Sequence, residues 1–317
     1  MSTDIAVRTS GLGKSYGDFT AVGSVDLSIA AGSVFAMLGP NGAGKTTTVR
    51  MLATLLRPDR GSAEIFGYDV VREATAVRSM IGLTGQYASV DETLTAGENL
   101  RLFGRLLGLS RRAAAGRAAE LLEEFELSAV ARRSVSAFSG GMRRRLDLAA
   151  TLITVPPLIF LDEPTTGLDP HTRGRMWGIV RGLVARGATV LLTTQYLEEA
   201  DALADRIAVI DRGTLVADGT PAELKSSIGE QVLRLDIPDT ADLRRAEALI
   251  QEMTGDVPEG SSTGTLTVAL HDATRGADIV AACRAENITL RGFAVDRPDL
   301  NEVFLSLTGH ARTVDAA

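Results

Sequence analysis

The chain has 317 residues, 45% of them hydrophobic, and a formal net charge of −7. That length points to two domains rather than one, and the composition supplies a sizeable apolar core. The acidic balance argues against an electrostatic grip on nucleic acid, and the single cysteine, Cys283, excludes an intrachain disulfide. Lysine occurs only as Lys14, Lys45 and Lys225, so a lysine inside a motif carries weight. The first residues lack the basic-then-apolar pattern of a signal peptide, and no apolar run approaches the ~20 residues of a membrane span. The expectation is a soluble intracellular protein that reaches a membrane only through a partner.

In chain order, residues 4–38 alternate apolar and polar and read as short strands, with Gly11-Leu12-Gly13 and Ala31-Gly32 as turns. The apolar run Val34-Phe35-Ala36-Met37-Leu38 leads into Gly39-Pro40-Asn41-Gly42-Ala43-Gly44-Lys45-Thr46, and a helix is expected from Thr47 to Leu56. The octapeptide fits G-x-x-x-x-G-K-[ST] without mismatch, in the strand–loop–helix setting that this motif requires. Its glycines let successive backbone N–H groups point into one concavity, and the helix N-terminus adds partial positive charge. Lys45 suits the β- and γ-phosphates and the Thr46 hydroxyl suits Mg²⁺. The motif signals a nucleoside triphosphate, not the use made of it.

Ser62 to Tyr68 reads as a further strand, and from Leu94 to about Leu127 the period is helical, through Leu100, Phe103, Leu106, Leu107, Leu121, Leu122 and Phe125. Phe138-Ser139-Gly140-Gly141-Met142-Arg143 opens another helix and offers a hydroxyl and unobstructed N–H groups, a second anion-seeking loop. Leu158-Ile159-Phe160-Leu161 reads as a buried parallel strand ending in Asp162-Glu163, at the carboxyl end where α/β sheets bind ligands. Asp162 there suits a metal ion, and Glu163 suits a general base acting on water. A helix from His171 to Arg186 and a strand from Thr189 to Thr193 complete the alternation of a mainly parallel sheet. After Gly219-Thr220-Pro221 and Lys225-Ser226-Ser227 the pattern restarts. Strands 231–237, 264–270 and 288–295 with helices 241–253 and 277–286 are close to a small ferredoxin-like β-α-β-α-β sandwich.

Taken together, these runs resemble the ATP-binding subunit of an ABC transporter over residues 4 to about 225. The resemblance rests on the Walker A run at 39–46, Gln86, the signature Ser139-Gly140-Gly141, the Walker B end Asp162-Glu163-Pro164 and the D-loop Gly167-Leu168-Asp169, in the family's order. It implies a P-loop ATPase core at 4–225, with an antiparallel β subdomain and a helical subdomain at about 88–150, followed by an accessory α+β domain at 226–317. It implies ATP contacts from Tyr16 and from Gly39, Pro40, Asn41, Gly42, Ala43, Gly44, Lys45, Thr46 and Thr47. Mg²⁺ would fall to Thr46, Gln86 and Asp162, and catalysis to Glu163 as base with Gln195 in the switch histidine's positioning role. Two copies would pair head to tail, so that Ser139, Gly140, Gly141, Met142 and Asp169 meet ATP bound to the other copy. Tyr16 would stack on adenine; the competing reading is a strand aromatic in a core.

The chain departs from the family pattern at two places. Phe138 and Met142 replace the ends of the usual Leu-Ser-Gly-Gly-Gln signature, and Met142 offers no amide. Gln195, in Thr193-Thr194-Gln195-Tyr196, stands where the family has a switch histidine; it can donate to a γ-phosphate but carries no charge. The alternative is that Gln195 merely caps the next helix. The switch glutamine, the Gly140–Arg145 run and the tail segment Arg297-Pro298-Asp299-Leu300-Asn301-Glu302-Val303-Phe304-Leu305 are similar to the daunorubicin/doxorubicin-resistance type of exporter ATPase. That branch implies efflux of a hydrophobic drug, antibiotic or lipid through a separate integral membrane permease, with this chain peripheral on the cytoplasmic face of the membrane. Competing readings are an importer ATPase, or a soluble ABC ATPase acting on ribosomes or nucleic acid. The acidic charge and the single cassette oppose the latter.

Overall fold

The computed structural model describes residues 4–85, 89–227, 231–260, 264–270, 273–296 and 299–308. They form two compact units that divide between Asp218 and Gly219. In the first unit, β1 (Ile5–Tyr16), β2 (Phe19–Val25), β3 (Ser28–Ala30) and β4 (Val34–Leu38) precede α1 (Lys45–Leu52), β5 (Arg60–Ile65), β6 (Tyr68–Asp69), α2 (Ala74–Met80) and β7 (Ile81–Thr84). Helices α3 (Ala96–Leu106), α4 (Arg111–Glu124) and α5 (Gly140–Thr151) follow and pack on one another. Then come β8 (Leu158–Asp162), α6 (Pro170–Ala185), β9 (Thr189–Thr194), α7 (Leu197–Leu203), β10 (Arg206–Asp211) and β11 (Thr214–Gly219).

One sheet runs β6-β5-β1-β2-β11-β10-β4-β9-β8-β7, with β3 added to β1. Pairing is parallel between β10, β4, β9, β8 and β7, and antiparallel where β1 meets β2, β3 and β5. Every residue of β4, β8 and β9 is buried, as the apolar stretches Val34–Leu38, Leu158–Leu161 and Val190–Leu192 require of strands covered on both faces. A side chain such as Phe160, at 0% exposure, contributes roughly 1.5–3 kcal/mol by leaving water.

Three local expectations differ from the structure. Gly11-Leu12-Gly13 is not a turn: β1 runs through it, and its register against β2 and β5 shifts there. The cause is a close crossing of two backbones, since a Cβ on Gly61 would lie 2.3 Å from Gly11 carbonyl atoms. Glycines inside a strand mark such bulges as readily as turns. The strand expected from Ser62 to Tyr68 breaks at Phe66 and Gly67, whose φ values of 48° and 83° fold it into the β5–β6 hairpin. The helix after the phosphate loop ends at Leu52 rather than Leu56, because Thr54 turns left-handed at φ 63°.

The second unit holds α8 (Pro221–Ser226), β12 (Gln231–Asp236), α9 (Thr240–Thr254), β13 (Glu259–Gly260), β14 (Thr265–Leu270), α10 (Ala273–Ala285), β15 (Gly292–Asp296) and α11 (Leu300–Thr308). Its antiparallel sheet runs β13-β14-β12-β15. The two-residue β13, too short to leave a sequence pattern, completes a ferredoxin-like β-α-β-β-α-β order. Alternate residues Leu233, Leu235, Leu266, Val268 and Leu270 form its core with Ala246, Ile250, Ile279 and Cys283 from α9 and α10. Helix α11 begins with a capping box. Asp299 Oδ1 accepts from Glu302 N at 3.0 Å, Glu302 Oε2 accepts from Asp299 N at 2.7 Å, and Arg234 pairs with Glu302 at 2.8 Å.

Gly61→Ala tests the strand crossing. The strained φ of 73° and the overlap with Gly11 should destabilise the chain. The expected loss is about 2 kcal/mol or more, seen as a melting temperature lowered by roughly 4–8 °C. An unchanged melting curve would contradict the crossing.

Candidate functional site

The register of three parallel strands assembles the site. Leu38 of β4 pairs with Thr194 of β9, and Asp162 of β8 pairs with Thr193, so Gly39, Glu163 and Gln195 all leave the sheet at one carboxyl edge. Cross-links tie these exits together: Gly39 N donates to Thr194 O at 3.3 Å and Glu163 N donates to Thr193 O at 3.1 Å. Such an edge is the usual binding crevice of a parallel sheet.

A cleft of about 360 Å³ lies there, lined by Tyr16, Phe19, Ala21, Asn41–Thr47 and Glu163. Lys45 Nζ is buried and donates to the carbonyls of Gly39 (2.7 Å) and Pro40 (3.0 Å), with Glu163 Oε1 3.7 Å away. Burial lowers its pKa, against the pull of Glu163 and Asp162. Such a desolvated cation gains strongly from an anionic ligand. Thr46 Oγ1 donates to Asp162 Oδ1 at 3.1 Å, so a hydroxyl and a carboxylate converge as the hard oxygen donors that Mg²⁺ prefers. The donor set therefore fits a magnesium–triphosphate. Gln86 lies outside the described residues.

Tyr16 and Phe19 face each other across the β1–β2 hairpin and are 49% and 63% exposed. Tyr16 is thus not a core aromatic but an open face at the end of the cleft. Phe19 beside it went unread in the sequence, because only the hairpin register brings it there.

In the sequence Thr193 is simply the last residue of a strand. Its Oγ1 donates to Asp162 Oδ1 at 2.5 Å and accepts from Glu163 N at 3.1 Å. One hydroxyl thus fixes both acidic residues. Glu163 has φ 49°, a left-handed conformation that costs a non-glycine residue energy.

Gln195 is half-buried, and among the described residues its side chain has no hydrogen bond. Helix α7 is N-capped by Tyr196 without a side-chain bond, and Thr194 Oγ1 accepts from Tyr196 N at 2.9 Å. Gln195 is therefore not a helix cap. One turn on, Glu199 is fully buried; its Oε1 accepts from Trp177 Nε1 at 3.2 Å, while Oε2 lacks a hydrogen bond. Burial raises its pKa, partly offset by the neighbouring Thr194, Thr165, Trp177 and Arg173.

The signature lies elsewhere on the unit. Ser139 N-caps α5, its Oγ accepting from Met142 N at 3.3 Å; Ser139 and Gly140 are exposed and do not line the cleft. Phe138 is buried and Met142 half-buried. A Cβ on Gly141 would come within 2.7 Å of Thr172 Cγ2, so this glycine lets α5 abut α6. Asp169 caps α6, accepting from Thr172 N (2.9 Å) and Oγ1 (2.6 Å), and the Thr172 hydroxyl is the main cause of its lowered pKa. Asp169 is exposed, so its second oxygen faces solvent as well as Thr172.

Comparison with known proteins gives this geometry its family. An ABC transporter family profile matches residues 22–166, and the profile of the DrrA1-3-like ATP-binding protein C-terminal domain matches 219–308. The chain is 52% identical over 306 residues to the daunorubicin/doxorubicin resistance ATP-binding protein DrrA of Streptomyces peucetius, covering 96% of this chain and 93% of that one. It is 40% identical over 308 residues to the Nod factor export ATP-binding protein I of Paraburkholderia xenovorans, covering 96% and 98%. Among solved structures, the ATP-binding subunit of an ABC transporter superposes with a TM-score of 0.64 at 29% identity, over 70% of this chain and 92% of that one. A dimeric ATP-binding cassette bound to ADP and Pi superposes with a TM-score of 0.62 at 28% identity, over 68% and 98%. The chain belongs to the ATP-binding, ATP-hydrolysing subunits of ABC transporters, in the DrrA-like branch.

Two measurements follow. Thr193→Val removes the shared hydroxyl and should lower kcat about tenfold while KM for ATP stays within about twofold; an unchanged kcat would contradict the bridge. Glu199 keeps its proton to a higher pH folded than unfolded. It therefore supports the fold below the ordinary glutamate value of 4.5, and that support fades as pH rises through the raised folded pKa. The melting temperature of Glu199→Gln relative to the parent should climb with pH above 4.5. A pH-independent difference would contradict this.

Proposed function

We propose that this chain is the motor subunit of an exporter, binding ATP at the 39–47 loop and hydrolysing it with Glu163 as general base. The carrying observation is the convergence of Lys45, Thr46, Asp162, Glu163 and Thr193 at one sheet edge. Tyr16 and Phe19 hold the base of the nucleotide by stacking, and the loop N–H groups with Lys45 hold its phosphates. Thr46 and Asp162, with Gln86, would hold Mg²⁺, which would supply charge to neutralise the phosphates. Glu163 takes a proton from the attacking water. Gln195, which does not cap α7, donates its amide to the γ-phosphate and so does the histidine's positioning work without its charge.

The nucleotide site is completed by a second copy. Ser139 and Gly140 are exposed and do not line their own cleft, and the first N–H groups of a helix such as α5 have no partner within it. Residues 139–142 and Asp169 of one protomer then meet ATP on its partner, and hydrolysis releases the pair. The permease docks beside α3, where Leu102, Leu106 and Leu107 are exposed next to a groove of about 190 Å³ lined by Leu83, Ser89, Phe103 and Asp147. No helix among the described residues is long and apolar enough to cross a membrane, which fits a peripheral subunit on the cytoplasmic face. The names of the relatives favour a hydrophobic drug or antibiotic as cargo. The 226–317 segment serves dimer formation or regulation.

Gln195→Ala should slow hydrolysis by about tenfold or more while nucleotide affinity changes by less than about twofold. Turnover at the parent rate would remove Gln195 from the mechanism. Co-expressed with its permease, the chain should lower cellular drug accumulation, and Lys45→Ala should abolish that effect. Equal accumulation with both would contradict export.

A further inference from the structure

The run Arg143-Arg144-Arg145 after the signature has three separate destinations. Arg143 pairs with Glu92 at 2.8 Å, and Arg145 donates to Phe125 O at 2.9 Å and lies 3.6 Å from Glu126. Both bind the helical segment to itself. Arg144 instead reaches the catalytic edge, with only 11% of its side chain exposed. Its Nε donates to Pro164 O at 3.1 Å, its Nη2 to Asp162 O at 2.9 Å and its Nη1 to Gly85 O at 2.5 Å. Asp147, one turn along α5, lies 3.8 Å from the guanidinium and accepts from Ser89 N at 2.7 Å.

The carbonyls of Asp162 and Pro164 flank Glu163. One planar guanidinium therefore grips the backbone on both sides of a residue held at φ 49°. A left-handed glutamate persists only when its surroundings over-determine it. On the third side, Glu163 N is bonded to Thr193 O and Oγ1, each at 3.1 Å. The fork shape matters, because three carbonyls approached from one plane match the fixed donors of Arg and not the single ammonium of Lys.

We propose that Arg144 is a positioning residue for hydrolysis: it holds Glu163 in its strained backbone conformation and so aims the carboxylate, and it acts through Glu163 rather than on nucleotide binding. The inference rests on the reading of Glu163 as the general base. It also gives α5 a double duty, since the same helix carries Ser139 at its outer end and Arg144 at the catalytic strand of its own chain.

The test is a double-mutant cycle in the full-length chain, with melting curves to establish folding. Arg144→Lys should lower kcat about tenfold and Arg144→Met about 10²-fold, with KM for ATP within about twofold in each. Glu163→Gln should be nearly inactive, and Glu163→Gln combined with Arg144→Lys should be no slower than Glu163→Gln alone. A purely structural arginine would give multiplying losses in the double variant, and that result would overturn the proposal. So would parent-like kcat in Arg144→Lys alongside an inactive Glu163→Gln, or a loss of ATP affinity matching the loss of turnover. Parent-like turnover in Glu163→Gln would instead overturn the general-base reading, and the proposal with it. If Arg144→Met does not fold, Arg144→Lys alone completes the cycle.

Discussion

Everything at the nucleotide edge depends on the register of β4, β9 and β8. Their hydrogen-bonded pairing sets Leu38, Thr194, Thr193 and Asp162 at matching levels, so three chain segments leave the sheet side by side. The phosphate loop, the acidic pair and the switch glutamine then need only short reaches to meet. A one-residue slip in any of these strands would turn each exit residue to the opposite face. The polar strand ends fix that register: Thr193 Oγ1 donates to Asp162 and accepts from Glu163 N, and Gly39 N donates to Thr194 O, bonds that a slip would break.

The stability supplied by those strands offsets strained and desolvated groups at and beside this edge. Lys45 is buried against backbone carbonyls with its charge only partly answered by Glu163 and Asp162. Glu163 holds a left-handed backbone, and Glu199 is sealed in with one oxygen unbonded. Local conflict of this kind concentrates where function requires it. On the proposed function, ATP answers the first conflict by bringing negative charge to Lys45.

The sequence revealed contiguous chemistry well and pairings between distant segments poorly. The loop at 39–46, the strand ending in Asp162-Glu163 and the Ser139 cap are each complete within a few residues, so their chemistry is visible without the fold. Thr193 and Arg144 gain their roles from partners 30–31 and 18–59 residues away across strand register or helix packing. Residue type alone does not mark them. The same limit explains Gly11: a glycine reads alike whether it makes a turn or admits the crossing backbone of Gly61. In the tail, the strand-and-helix alternation and the Asp299–Glu302 spacing of the α11 cap are legible, whereas the two-residue β13 is not.

The central claim is that each nucleotide is held between the loop of one copy and the signature of another. Light scattering of the Glu163→Gln chain, with and without ATP, tests it when repeated with Ser139→Arg added. ATP should double the mass of the first protein, while the second binds ATP and remains single. If the Ser139→Arg protein doubles its mass just as readily, the signature does not meet the partner's nucleotide and the account is wrong.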